Sequence, residues 1–236
     1  MPKITFELIT LFPDFFETPL QTSLLKKALD KNLVKINTYN LRDWGVGKNK
    51  QVDDRPFGGG PGMVLKPDVL ASCLRAIVSK TKDVPYVIVL DPAGTKYTQE
   101  RALQLSRKDR LILICGHYEG IDERFKKIYA DEEISIGDYI LSGGETAALV
   151  LIDTITRLVP GFLGKEESSI RESFSKVPVD GKQTPLLDYP VYTRPEDFEE
   201  RKVPKVLLSG NHKKIDLWRK NKAIEKTAKE RPDLLR

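Results

Sequence analysis

Five glycines, Gly116, Gly120, Gly137, Gly143 and Gly144, fall at the ends of two short apolar runs in LILICGHYEGIDERFKKIYADEEISIGDYILSGGE, the stretch from Leu111 to Glu145. Glycine lets a backbone turn sharply and approach a ligand closely, and in open α/β sheets ligands sit outside the carboxyl ends of the strands. The chemistry on offer is the gripping of a small molecule by backbone amides, with Tyr118, Tyr139 and Leu141 as walls and Glu119 to meet a positive amine. By spacing alone, such glycines more often merely turn the chain.

Other residues bear on proton transfer. Arg157, in RLVPG, closes a helical pattern, where a cation also complements the helix dipole. Glu172, in ESSIRESF, is one carboxylate in a polar stretch, and most glutamates are solvated. Asp53, Asp54 and Arg55 precede the run Gly58-Gly59-Gly60-Pro61-Gly62 and read by themselves as turn formers and surface ions. His117 and His212 stand alone, and Cys73 and Cys115 form no CxxC or Cys/His cluster at zinc spacing. We therefore expect no metal centre and two reduced, buried thiols of a cytosolic protein.

Alternating elements must position these groups. Ile4 to Leu11 suits a buried strand, and a helix beginning at Pro13 is expected to bury Phe15, Leu20, Leu24, Leu25 and Leu29. Leu33 to Leu41 reads as the next strand, and residues 42–63 as a long glycine-rich loop of the functional kind. Pro67 to Ser79 predicts a helix, Tyr86 to Leu90 a strand ending in Asp91-Pro92-Ala93-Gly94, and Thr98 to Ser106 a helix with a hydroxyl cap. Then follow a strand at Leu111 to Cys115, a helix at Ile121 to Ala130, a strand at Glu133 to Ile136 and a helix from Glu145 to Leu158. This alternation predicts an α/β fold, a parallel sheet with helices on both faces. Residues 160–188 show little periodicity and read as a flexible linker, followed by a helix from Lys213 to Glu230 with Ile215, Leu217, Trp218 and Ile224 on its packed face.

Composition sets limits. Of 236 residues, 40% are hydrophobic and 31% charged, as in a soluble globular protein of one large or two small domains. The 39 Lys plus Arg against 34 Asp plus Glu give +5, which admits RNA as a partner without requiring it. MPKITFELITLF has neither the apolar core and cleavage site of a signal peptide nor the length of a membrane span. A dinucleotide-dependent oxidoreductase is disfavoured, since no GxGxxG with a ribose-binding acid follows the first strand.

The words VDDRPFGGGPGM, CGHYEGIDER, SIGDYILSGGE, RLVPG, YPVYTRP and SGNH, in this order, resemble the bacterial tRNA (guanine-N1)-methyltransferases over nearly the whole chain. The resemblance implies methylation by S-adenosylmethionine of the guanine immediately 3′ of the anticodon. It also implies a deep trefoil knot between about Tyr86 and Leu158, a cytoplasmic homodimer in which linker and tail of one chain complete the other's site, and a response to magnesium, for which no tight carboxylate cage is readable.

Carried onto this sequence, the resemblance assigns the cofactor to Leu90, Pro92, Gly116, Tyr118, Glu119, Gly120, Ile136, Gly137, Asp138, Tyr139, Ile140, Leu141, Gly143, Gly144 and Ala147. Arg157 matches the family's catalytic arginine, and Glu172 stands where the family has an aspartate base, one methylene longer but able to accept the N1 proton. The target base and its stem fall to Asp53, Arg55, Gly58, Gly59, Gly60, Pro61, Arg194, Asn211 and His212, with basic residues of the tail as an RNA surface. The expected domains are 1–160 for the knotted cofactor-binding part, 161–188 for the linker with the base, and 189–236 for a small helical tRNA-binding part. A ribose 2′-O-methyltransferase of the same knotted superfamily and a non-enzymatic RNA-binding module stand as alternatives.

Overall fold

The computed structural model describes residues 2–163, 172–179 and 181–235. The chain forms two compact units, Met1–Phe162 and Leu163–Arg236.

The first unit is built on a five-stranded parallel sheet of β1 (Ile4–Thr10), β2 (Val34–Asn40), β5 (Tyr86–Lys96), β6 (Arg110–Cys115) and β7 (Glu132–Ser135), ordered β2-β1-β6-β5-β7. Every residue of β6, the middle strand, is buried, as expected when both faces are covered. One face carries α3 (Pro67–Val78) and α5 (Glu123–Tyr129), whose Leu70, Cys73, Leu74, Ile77 and Phe125 share a core with Ile9, Val87, Val89, Ile112 and Ile114. The alternate residues point to the other face, where α6 (Glu145–Thr156) packs with α2 (Ser23–Asp30) and α4 (Gln99–Leu105). Strand order is tied across β1 and β6 by a buried ion pair, Glu7 with Arg110 at 3.2 Å, and Arg110 also donates to the Ile77 carbonyl at 2.9 Å.

The local start signals hold. Pro67 opens α3 and the Thr98 hydroxyl accepts from the Arg101 amide at 3.2 Å ahead of α4; the helix expected from Ile121 starts two residues later, at Glu123, where Asp122 accepts from the Arg124 amide at 2.9 Å.

Three expectations need correction. The helix from Pro13 is divided into a 3-10 turn, Pro13–Phe16, a single turn α1 (Glu17–Leu20) and α2, the last set apart by the extended backbone of Thr22 and a φ of 53° at Ser23. The break rotates the face, so Phe16 and Ala28 are buried while Phe15 and Leu24 are exposed. Second, β5 does not end at Leu90: Leu90 and Thr95 both pair with Ile134, so Asp91–Gly94 arch out of a strand that resumes beyond them. Third, part of the stretch read as linker pairs as an antiparallel hairpin, β8 (Ser175–Val179) with β9 (Lys182–Leu186). Residues 164–171 of that stretch lie outside the described residues.

In the second unit the hairpin packs with the helix His212–Glu230, where the Thr227 hydroxyl accepts from the Leu187 amide at 2.9 Å. That helix buries Ile215, Ala223 and Thr227, spaced at whole turns, whereas Leu217 is exposed.

Candidate active site

Three corners meet where the arch interrupts β5 and at the carboxyl ends of β6 and β7. The arch Asp91–Gly94, the turn 116–120 and the loop 136–144 enclose a cavity of about 160 Å³. Its apolar wall comes from Leu90, Ile134, Ile136, Leu141 and Ala147, and its polar atoms from backbone, Asp91, His117, Glu119, Ser135 and Ser142.

Each corner is held by contacts that specify its residue types. Gly144 donates to the Gly116 carbonyl at 2.8 Å, and a Cβ on Gly144 would stand 2.7 Å from the Cys115 Cα, so the loop seats on the strand end only without a side chain. The turn after β6 is pinned to the far end of the long loop: Glu119 donates to the Met63 carbonyl at 2.9 Å, and Leu65 to the Gly120 carbonyl at 3.0 Å. Gly62, at φ 81°, gives its side-chain space to Glu119, whose Cγ lies 2.4 Å from where a Cβ would be. The end of the glycine run, at Gly62, is therefore set against a residue of the cavity wall.

The opening of α6 is fixed by Thr10, whose hydroxyl donates to Glu145 Oε1 at 2.7 Å, both side chains buried. Across Gly143 from Glu145, His117 has its Nδ1 buried and, among the described residues, without a hydrogen-bond partner, its ring 5.1 Å from Phe12 and 4.8 Å from Tyr118. Burial, and after it the nearby Glu145 carboxylate, pushes the Cys115 thiol well above its ordinary value, which removes it as a nucleophile.

Of the residues assigned to the cofactor from sequence, the cavity brings together Leu90, Pro92, Gly116, Tyr118, Glu119, Gly120, Ile136, Gly137, Tyr139, Ile140, Leu141, Gly143, Gly144 and Ala147. Asp138 is not among its lining residues: its side chain is 91% exposed, 3.4 Å from Lys96. Asp91, Ser135 and Ser142 line the cavity although the sequence reading did not single them out, and only Asp91, inside the Asp-Pro-Ala-Gly turn, carried a signal.

The remaining assignments are scattered. Asp53 pairs with Leu65 in a two-residue ladder, and Arg55 follows it with its amide on Asp54 Oδ1 at 2.8 Å. Gly58, Gly59 and Gly60 all have positive φ with open space where a Cβ would be, so their glycines serve backbone conformation. Pro61 is exposed beside them. Arg157 follows α6 in the first unit, its amide on the Asp153 carbonyl at 3.0 Å.

Glu172 belongs to the second unit, where it lines a separate cavity with Asp188, Tyr189, Asp216 and Arg219. Arg194 is exposed ahead of a cis proline. Asn211 caps the helix that His212 begins, accepting from the Lys214 amide at 3.1 Å, a role its place before a helical pattern signals. Among the described residues no group of three or more His, Cys, Asp or Glu side chains could hold a metal ion, and no helix is long and apolar enough to cross a membrane.

Comparison with known proteins agrees with the resemblance. The family model described as tRNA (Guanine-1)-methyltransferase TrmD matches residues 4–236. The tRNA (guanine-N(1)-)-methyltransferase of Carboxydothermus hydrogenoformans is 51% identical over 230 residues, 98% of this chain and 87% of its own length. That of Clostridioides difficile is 49% identical over 231 residues, 97% of this chain and 96% of its own length.

Proposed function

The chain belongs to the tRNA (guanine-N1)-methyltransferase family and is a methyltransferase, and we propose that it moves a methyl group from S-adenosylmethionine to N1 of the guanine immediately 3′ of the anticodon. One observation carries this reading: Gly62, at the end of the glycine run whose Gly58, Gly59, Gly60 and Pro61 are assigned to the target base, packs against Glu119 of the cavity assigned to the cofactor, so the loop that would hold the acceptor is anchored beside the donor's place within one unit.

The cavity fits S-adenosylmethionine by its donor set. Apolar side chains at Leu90, Ile134, Ile136 and Leu141 suit an adenine ring, His117 Nδ1, without a hydrogen-bond partner among the described residues, offers a buried polar atom, and Glu119 suits an ammonium. The cofactor supplies an electrophilic methyl group on a sulfonium. The chain's own residues orient the guanine and remove its proton. In our reading Glu172 accepts the N1 proton, and Arg157 offsets charge developing on O6. The target guanine leaves its stack to present N1, and the basic tail, with Arg194, Asn211 and His212, grips the stem.

The proposal includes a cytoplasmic homodimer in which linker and tail of one chain complete the other's site, a trefoil knot over residues 86–158, tRNA-binding by residues 189–236, and a response to magnesium. The ribose 2′-O reading loses its ground because the relatives' names specify guanine N1.

Methyl transfer to tRNA carrying guanine at the target position, compared with adenine there, tests the reaction. Transfer confined to the guanine tRNA is expected, and equal labelling of both overturns it. A Glu172→Gln protein that keeps full turnover removes Glu172 as the base.

A further inference from the structure

The arch Asp91–Gly94 contributes two residues to the cavity wall, yet it consists of four residues without strand pairing between Leu90 and Thr95. Such an excursion needs side-chain contacts to keep one shape. Inside it, Asp91 Oδ1 accepts from the Ala93 amide at 2.9 Å. From outside it is held at a single ammonium. Lys126 of α5 places Nζ 3.3 Å from Asp91 Oδ2, 2.9 Å from Glu133 on β7 and 3.1 Å from Glu123 on its own helix.

The Lys126 side chain is 12% exposed and that of Asp91 17%, so this pair is screened far less than a surface pair, whereas Glu133 and Glu123 reach solvent at 33% and 58%. Burial works against the charge on Lys126, but Glu133, Glu123 and Asp91 together hold its pKa above the ordinary lysine value. The far end of the arch meets the same strand, since a Cβ on Gly94 would lie 2.5 Å from the Glu133 carbonyl carbon. Glu133 thus stands at both ends of the arch, its backbone closely approached by Gly94 and its carboxylate joined to Asp91 through Lys126.

We propose that Lys126 is a positioning residue for cofactor binding: by drawing Asp91 and Glu133 together it holds the arch in the shape that walls the cavity. This rests on the reading of that cavity as the S-adenosylmethionine site. Without the ammonium, three carboxylates face one another across the arch and α5, and their repulsion opens it. Among the described residues the ion pairs of Lys126 are with Asp91, Glu123 and Glu133, none assigned to the guanine, so its loss should act on the cofactor alone.

The test uses the full chain and its Lys126→Met and Lys126→Arg variants. Calorimetry gives the Kd for S-adenosylmethionine, methyl transfer gives kcat and both KM values, and hydrogen exchange follows the Ala93 amide without cofactor. Lys126→Met is expected to raise the Kd and KM for the cofactor about tenfold, the size of one charge-assisted contact. It should also speed exchange at Ala93 and leave kcat and the KM for tRNA unchanged, with Lys126→Arg restoring most of the loss. Cofactor affinity in Lys126→Met equal to wild type, or a fall in kcat and thermal stability without a cofactor effect, overturns the proposal. Wild-type protein that fails to bind S-adenosylmethionine instead overturns the cavity reading beneath it.

Discussion

The Thr10 hydroxyl donates to the Glu145 carboxylate across 135 positions of sequence, at 2.7 Å and out of contact with water, and so joins the carboxyl end of β1 to the first turn of α6. The same oxygen accepts from the Phe12 amide at 2.9 Å. Replacing Thr10 by Val keeps the shape and removes both bonds. A cost of about 1–3 kcal/mol is expected, because a buried carboxylate loses its donor. Denaturant unfolding measures it, and an unchanged midpoint would show that Glu145 is satisfied elsewhere.

Gly144 and Gly59 should respond differently to alanine. At Gly144 the new Cβ meets backbone of Cys115 and Gly116 at 2.7 and 2.9 Å, which cannot yield without moving β6 or the loop. At Gly59 there is open space, and only the positive φ of 81° is unfavourable. Gly144→Ala should therefore abolish cofactor binding or destabilise the first unit by several kcal/mol, whereas Gly59→Ala costs about 1–2 kcal/mol. Calorimetry with S-adenosylmethionine and thermal melts of both variants check the order. A reversed order would contradict the packing of the 136–144 loop on the end of β6.

Among the described residues Arg110 is the only cation within ion-pair distance of Glu7, and both side chains are nearly inaccessible to water. Arg110→Met leaves Glu7 with the Asn37 amide donor at 3.0 Å but no counter-charge. The expected loss is about 3–5 kcal/mol, the size typical of a broken buried pair. A melting temperature close to that of wild type would sink this prediction.

Alkaline stability should depend on Tyr97, whose phenol shares a 2.7 Å hydrogen bond with the Thr154 hydroxyl. Burial, the largest cause, pushes its pKa up to about 12. An acid whose folded pKa is raised keeps its stabilising effect below the unfolded value, near 10, and loses it as pH rises toward the folded one. Unfolding free energy should therefore fall between about pH 10 and 12, more steeply in wild type than in Tyr97→Phe. The variant should lose about 1 kcal/mol at neutral pH for the missing bond. Parallel pH profiles for the two proteins would exclude Tyr97 as the source.

Both cysteines should stay unlabelled by thiol reagents in the native protein. Burial pushes the Cys73 thiol up to about 12, and Cys115 is enclosed at the end of β6. Labelling at native rates equal to those in denaturant would contradict their burial.

Much of this was legible in the chain itself, for reasons that differ by feature. The apolar run Leu111–Cys115, the prolyl start of α3 and the Thr98 cap are local signals, settled by neighbours in sequence, and they stand where the residues put them. The glycine corners were also visible, because only glycine tolerates those backbone angles or that closeness. Family membership followed from long words in a fixed order.

Tertiary structure decided what depends on partners far away. Whether β5 stops at Leu90 or resumes at Thr95 turns on pairing with Ile134, some forty residues on. The exposure of Leu217 and the burial of Thr227 turn on which turns of the last helix meet the hairpin. Lys126 read as one more charge on a helix until the fold set Asp91 and Glu133 around it. Periodicity records which face of an element is apolar, but a charged side chain acquires its role only from the groups that folding brings within a few ångströms of it.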